Sequence, residues 1–374
     1  MVPESGFHPR AGRAAAKTGA PRLWEDDDSL LEAGGTLVAM WDRKTCLVRA
    51  SLPAAILVAW ALATAAKGPV EEGYRWYKGN LHTHTTHSDG DSSPDAVARW
   101  YKEHGYQFLF LSDHNYFTDP GGLNQVFGAK ERFLLIGAEE VTAHSQKKPV
   151  HVNAYGISQL VPPQFGPSVR ETIQRNVDAV RAAGGIPSLN HPNFGWAVTP
   201  EDVAAVRNLR LIEVYNGHPT VHNEGGGGKP SAESIWDAAL TAGRELFAVA
   251  VDDAHYFKRF GPGYSNPGRG WVVVKARELT ARAILEGLKR GEFYASTGVE
   301  LAAVERTENR LRVKIQRDRN FAYTTRYFGA GGKLLAESYE LESGYTLKPG
   351  DRYVRATITD SMGRRAWTQP VFRR

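Results

Sequence analysis

Between positions 74 and 298, short apolar runs alternate with stretches of helical period. The runs at 107–114, 132–142, 186–191, 209–216, 245–255 and 271–275 are almost continuously apolar, and most of them end in polar residues. Runs of this kind are strands buried on both faces, as in parallel sheets covered by helices. Helices are expected between them at 93–104, 169–183, 199–206, 231–242 and 280–290. The first starts at Ser93-Pro94-Asp95, with a hydroxyl to cap, a proline at the first helical position and an acid in the first turn. The repeated βα order predicts an α/β fold, either a barrel or a doubly wound sheet. No Gly-x-Gly-x-x-Gly or Walker pattern opens any of the helices, so a nucleotide cofactor has no support. Polar residues collect at the C-terminal ends of the strands, where barrel enzymes keep their chemistry.

Past Gly298 the pattern shifts to short alternating strands at 310–316, 323–328 and 353–360, with glycine-rich turns at 329–332 and 349–350. This predicts a small antiparallel β module over 299–374. Upstream, 1–39 shows no sustained period and reads as an unstructured extension. Segment 40–66 reads as a signal-peptide-like leader. It has basic residues Arg43, Lys44 and Arg49, an apolar stretch from Leu52 to Leu62, and the small-x-small end Ala63-Thr64-Ala65. The stretch falls short of the roughly 20 residues of a membrane span. It predicts translation from Met40 and export to the periplasm or the exterior; the alternative is a buried helix.

Composition narrows the chemistry. Of 374 residues, 42% are hydrophobic and 23% charged, as in an ordinary globular protein. The net charge of +5 comes from the C-terminal part, where 301–374 carries 15 Lys+Arg against 8 Asp+Glu. No basic run interleaved with aromatics accompanies it, so the expected partner is a small-molecule substrate and not a nucleic acid. The one cysteine, Cys46, lies in the leader. A metal site in the mature chain must therefore use His, Asp and Glu.

Those residues recur at strand ends. His82 and His84 are two apart, so in a strand both leave one face. Ser112-Asp113-His114 and His191 end two further strands, and Asp253-Ala254-His255 repeats the i, i+2 pair. Strand ends of this type converge in a barrel, and imidazoles with carboxylates bind divalent ions.

Over 78–298 the chain resembles the PHP (polymerase and histidinol phosphatase) metal-dependent hydrolases. The resemblance is carried by His82-Thr83-His84 with Ser88-Asp89-Gly90, by Ser112-Asp113-His114, by a glutamate after an apolar strand, by His151 in Val-His-Val-Asn, by His191-Pro192 and by Asp253-Ala254-His255. The segments at 78–84, 140–142, 213–217 and 364–372 look most like the exported branch containing the carbaryl hydrolase and related amide hydrolases. The resemblance implies a distorted (β/α)7 PHP barrel with two or three divalent metal ions, Zn, Mn or Fe. It implies one ion on His82, His84, a bridging glutamate and Asp253; a second on that glutamate, His151 and His191; and a third on Asp89, His114 and His255. Glu139 and Glu140 point to opposite faces of their strand, and the family pattern matches Glu140.

The catalytic residues expected are Asp253, Glu140 and His255, acting with a metal-activated water. Arg269, Asn216 and His218 are expected to contact substrate, and Asp113 to hydrogen-bond behind a ligand. The first functional reading is a metal-dependent phosphoesterase acting on a small ester. The alternatives are an amide or carbamate hydrolase and a metal-retaining binding module without catalysis.

Overall fold

The computed structural model describes residues 73–128 and 132–373. The extension 1–39 and the leader-like segment 40–66 lie outside the described residues. Among the described residues, no helix is long and apolar enough to cross a membrane.

Seven strands pair in chain order: β1 (Arg75–Asn80), β2 (Phe108–Leu111), β3 (Leu134–Ser145), β4 (Lys148–Tyr155), β5 (Ile186–Leu189), β6 (Leu211–Asn216) and β7 (Phe247–Val251). The pairs β1/β2, β2/β3, β5/β6 and β6/β7 are parallel. The ring returns from β7 to β1 through a parallel bridge between Thr83 and Ala254. There Asp253 N–H donates to the His82 carbonyl (3.0 Å) and His84 N–H to the Ala254 carbonyl (2.9 Å). The segments that carry candidate ligands therefore also close the barrel.

Strand direction departs from an all-parallel barrel in two places, one of them at a strand the sequence pattern did not predict. β4 is antiparallel to both β3 and β5, joined to β3 by a two-residue link at Gln146 and Lys147. The sequence has no Asn-Gly or Asp-Gly at that link, so it carried no hairpin signal. The run at 271–275 is not a further parallel barrel strand. As β8 (Trp271–Ala276) it lies antiparallel along the outer part of β1, and β9 (Phe293–Ser296) pairs beside it.

The helices are α1 (Pro94–Glu103), α2 (Gly121–Phe127), α3 (Val169–Ala182), α4 (Pro200–Ala205), α5 (Ala232–Thr241) and α6 (Ala281–Arg290). Thr199 opens α4 with a reciprocal capping box to Asp202, and Ser168, Ser231 and Thr280 cap α3, α5 and α6. At α1 the expected cap is replaced: Ser93 Oγ donates to the Asp95 carboxylate (2.5 Å). Inward-facing Leu81, Phe108, Phe110, Ile186, Leu211, Phe247 and Val249 fill the barrel as one cluster. Each such side chain contributes about 1.5–3 kcal/mol by leaving water. A second cluster packs β4–β6 against α3, α4 and α5 around Trp236.

Beyond Gly298, β10 (Leu301–Arg306), β11 (Arg310–Ile315) and β14 (Glu342–Thr346) form a separate antiparallel sheet. The strands β12 (Tyr323–Gly329), β13 (Lys333–Ser338), β15 (Tyr353–Asp360) and β16 (Arg365–Thr368) instead continue the barrel's own sheet, because β16 pairs with β9. A short β17 (Val371–Phe372) pairs with β15. The fold is thus a mixed α/β barrel-like sheet with an antiparallel β extension.

Candidate metal centre

The polar strand ends meet at one mouth of the barrel, around a cavity of about 130 Å3 lined by Asp89, His114, Glu140, His151, His191, Phe194, His218, Val221, Asp253 and His255. His82 and His84 lie beneath it, fully buried.

His82 is the most constrained of these. Its Nδ1 lies 2.7 Å from Glu213 Oε1, so the proton sits there and the Nε2 lone pair faces inward. Nε2 lies 3.1 Å from His84 Nε2 and 3.3 Å from Asp253 Oδ1, and His84 Nε2 lies 3.1 Å from the same Asp253 oxygen. Glu140 Oε2 is 3.3 and 3.4 Å from the two imidazole nitrogens. Ligand atoms on a tetrahedral ion at about 2.0–2.1 Å stand about 3.3–3.4 Å apart, so the spacing is that of a ligand set.

Glu140 sits between these residues and a second group. Its Oε1 faces His151 Nδ1 (2.9 Å) and His191 Nε2 (3.2 Å) and accepts from Asn190 Nδ2 (2.8 Å); its Oε2 lies 2.8 Å from His114 Nδ1. The third group surrounds Asp89, with His255 Nε2 at 3.3 Å, His114 Nε2 at 3.7 Å and His84 Nδ1 at 3.7 Å. The sets able to hold an ion are His82/His84/Asp253, His114/Glu140/His151 and His84/Asp89/His114/His255.

The nine expected residues gather at one site, but they are partitioned differently: His191, expected in the second set, stands 3.2 Å from Glu140 Oε1 yet enters none of the three sets. His114, expected only beside Asp89 and His255, also stands beside Glu140 and His151. The cause is register: His114 and Glu140 are bridge partners past the ends of β2 and β3, with Asn115 N–H on the Glu140 carbonyl (2.9 Å) and Glu140 N–H on the Asp113 carbonyl (3.1 Å). Asp253 and His255 also do not leave one face of a strand as the i, i+2 spacing implied. β7 ends at Val251, and Asp253 takes a left-handed backbone with φ +50°, so a turn brings both in. His255 then stacks on His84, ring centres 4.1 Å apart.

Glu140 Oε2 is buried and receives no aligned hydrogen bond, because His114 Nδ1, though 2.8 Å away, is turned to Thr142 Oγ1 (2.6 Å). No lysine or arginine lines the cavity. Burial alone would push the Glu140 and Asp253 carboxyls up; the imidazoles beside them, His114 for Glu140 and His82 for Asp253, hold both well below the usual range. Burial opposes protonation of His82 and His114, yet the carboxylates win. His82 is raised well above the ordinary value by Asp253 and Glu140, and His114 rises to about 9 beside Glu140. His84 is lowered to about 4 by burial and by His255. Protons here do what a divalent cation would do better. Three carboxylates among converging imidazoles, with no lysine or arginine between them, fit divalent ions.

The remaining candidates fall into different places. Glu139 points away from the cavity, with Oε2 accepting from Val161 N–H (2.7 Å) and Oε1 unpartnered. Asp113 binds Thr85 N–H (2.7 Å), Thr85 Oγ1 (2.8 Å) and Ser88 Oγ (2.8 Å), fixing the loop behind the ligands. Two expected substrate contacts need correction. Arg269 does not line the cavity; its guanidinium donates to the Gly217 and Gly261 carbonyls (2.7 and 3.0 Å) and ties two loops together. Asn216 donates to Glu213 Oε2 (2.8 Å) and Asp253 Oδ2 (3.1 Å), so it positions the site from behind. His218 does line the cavity. His87 bonds Thr118 Oγ1 (2.8 Å) and stays outside the clusters.

Sequence reasoning gave no role to Glu213. Besides His82 it accepts from His191 N–H (2.7 Å), so one carboxylate orients two candidate ligands. The available signal was a buried acid inside the apolar run Leu-Ile-Glu-Val.

No protein-family model and no curated protein sequence matches the chain. Among solved structures it is similar to a two-domain protein from Bacteroides vulgatus containing a predicted PHP-like metal-dependent phosphoesterase. Identity is 18% over 80% of this chain and 89% of that one, with a TM-score of 0.46. It is also similar to an amidohydrolase from Chromobacterium violaceum, at 16% identity over 50% of this chain and 93% of that one, TM-score 0.34. At these scores the reading of the site rests on its own residues.

Proposed function

We propose that this chain is a metal-dependent hydrolase of small esters, with phosphoesters the first substrate class. The observation that carries this is the buried Glu140 carboxylate, ringed by imidazoles with no lysine or arginine beside it. His82, His84, Asp253 and Glu140 would hold one divalent ion, and Glu140 with His114 and His151 a second. Asp89 with His255 and His114 would hold a third. When bound, such ions lower the pKa of a water molecule and accept negative charge developing on oxygen.

The chain's own residues do the rest. Glu213 and Asn216 fix the His82 ring and the Asp253 carboxylate, so neither must reorganise during reaction. Phe194 packs its edge against His191 (5.2 Å) and, with Val221, gives the cavity an apolar wall that restricts water. Asp253, with Oδ1 facing the imidazoles, is placed to take a proton from an attacking water. Glu140 and His255 shape the charge around the reacting atoms.

The absence of any Lys or Arg from the lining favours a second reading, an amide or carbamate hydrolase, because an uncharged substrate needs no such partner. The test is a substrate panel on purified protein loaded with Mn2+ or Zn2+: aryl phosphates, phosphodiesters, aryl carbamates and aryl amides. Turnover of the phosphates supports the first reading and turnover of only carbamates or amides the second. Bound metal without any turnover would make the chain a binding module. Export is proposed on the leader-like segment 40–66 alone, with translation from Met40 and cleavage near Ala65 or Ala66; a mature chain still beginning before Met40 would refute that start and cleavage.

A further inference from the structure

His218 lines the cavity yet belongs to none of the ligand sets. Its place is fixed from the backbone outward: its own N–H donates to Asn216 Oδ1 (2.8 Å), so the residue that holds Asp253 also holds the start of this loop. Its ring stands edge-on to His255 (5.5 Å between centres) and to Phe194 (6.3 Å), between the Asp89 side of the cavity and the apolar wall.

The ring's tautomer follows from geometry. Thr220 N–H points at His218 Nδ1 (3.3 Å), and Thr220 Oγ1 lies 2.9 Å from the same nitrogen. A backbone N–H can only donate, so Nδ1 is the acceptor and the proton of the neutral ring is on Nε2. Among the described residues Nε2–H has no protein partner. The other lining imidazole outside the ligand sets, His191, already faces Glu140 Oε1 with its Nε2 (3.2 Å), which leaves His218 as the one such ring with a free N–H among the described residues.

Resting on the hydrolase reading above, we infer that His218 contacts the substrate as a fixed hydrogen-bond donor, its Nε2–H aimed at the bridging oxygen of the bond that breaks. In the reaction the water oxygen forms a bond to phosphorus or to the carbonyl carbon. The bond to the bridging oxygen breaks, and its electron pair stays on that oxygen. The proton lost by the water ends on the departing alcohol. His218 lends a hydrogen bond and keeps its proton throughout. Such a donor matters most when the departing oxygen is strongly basic, so the substrate class is an ester of an ordinary alcohol or unactivated phenol rather than of an acidic phenol.

The test has two arms on the full chain loaded with Zn2+. In the first, 15N-histidine labelling, with His218 assigned by difference against His218→Gln, reads the ring directly. The expected result is an Nε2–H tautomer whose signal shifts on adding inorganic phosphate. An Nδ1–H tautomer, a zinc-bound Nε2 or a signal unmoved by phosphate overturns the inference. In the second arm, His218→Gln is compared with the parent on phenyl phosphate and 4-nitrophenyl phosphate, with metal content measured in both. The expected loss in kcat is about 10²-fold on the phenyl ester and under about 3-fold on the nitrophenyl ester, at equal metal content. Equal losses on both overturn it. If the parent hydrolyses neither ester, the hydrolase reading for phosphates fails, and the tautomer and phosphate shift still decide the role of His218.

Discussion

Two places in this molecule bury carboxylates, and they solve the same electrostatic problem in opposite ways. In the cleft between α5 and the C-terminal sheet, about 560 Å3 in volume, Asp237 receives Arg355 Nε on Oδ1 (2.7 Å) and Nη2 on Oδ2 (2.6 Å). Tyr353 adds its hydroxyl (2.9 Å), and Glu233 pairs with the same guanidinium (3.0 Å). At the barrel mouth, Glu140 is as deeply buried but faces imidazoles and the Asn190 amide, with no lysine or arginine. The first cluster carries a guanidinium of its own, whereas the second has no lysine or arginine and meets its carboxylates with imidazoles. The difference shows that cleft size is a poor guide to function here. The larger recess carries its own guanidinium, and the smaller one has none.

The sharpest way to break this comparison is to remove the charge at each centre. Glu140→Gln keeps the shape but deletes the carboxylate shared by two ligand sets. Bound metal measured by mass spectrometry should fall, and hydrolysis of the best substrate should drop by about 10⁴-fold, about 5 kcal/mol in barrier. Unfolding free energy of the metal-free protein should move far less. Retained stoichiometry with unchanged rate would remove Glu140 from the site.

Arg355→Leu is the mirror experiment. It strands Asp237 and Glu233 without their partner, and breaking such a buried pair costs about 3–5 kcal/mol. Urea unfolding should show that loss while the folded fraction keeps its metal. Lost metal without lost stability would mean that the two clusters do not play the separate roles assigned to them.

The same contrast explains what could be read from the chain alone. Arg355 and Asp237 look like ordinary surface charges in sequence, because nothing local says that β15 will cover α5. The ligand residues were legible because their types recur at the ends of apolar runs, a local pattern. Their grouping was not: the pairing of His114 with Glu140 is a register between two strands, and register is set over long range. The reversed β4 escaped for the same reason, since Ser145-Gln146-Lys147-Lys148 is not a sequence that announces a tight turn. Arg269, near the end of a Gly/Pro-rich loop, is expected from sequence to clamp an anion. Loop carbonyls claim it instead, and the sequence cannot show where they lie. The continuation of the barrel sheet through β9 and β16 likewise depends on a pairing of residues about seventy positions apart.

Within β3 the comparison can be narrowed to adjacent residues. Glu139 is as buried as Glu140 but has one donor and no cation, and burial pushes its carboxyl up to about 7. Below about pH 4.5 both the folded and the unfolded chain hold this proton, and it costs no stability. As pH rises toward 7 the unfolded chain releases it first, so stability falls, and above 7 the penalty is constant at about 3 kcal/mol. Glu139→Gln should therefore raise the melting temperature at pH 8 and change it little at pH 4.5. An equal gain at both values would mean that the carboxyl is not held neutral in the folded protein.

The smallest effect tests the part of the site that sequence reasoning missed. Glu213 leaves the His82 Nδ1 proton with one acceptor at 2.7 Å and holds the His191 backbone at the same distance. Glu213→Gln preserves volume and hydrogen-bonding capacity on one oxygen. It removes the charge that makes His82 a stronger donor to an ion and allows the amide to present N–H where an acceptor is needed. Partners of this kind are worth about 10- to 100-fold in metal affinity, or about 1.4–2.7 kcal/mol. Competition against a chromophoric chelator should show that weakening, with stoichiometry at saturation unchanged, because no ligand atom has been deleted. A loss of stoichiometry equal to that of Glu140→Gln would make Glu213 a ligand itself. Unchanged affinity would mean that His82 is oriented by packing alone and that the carboxylate serves the His191 backbone instead.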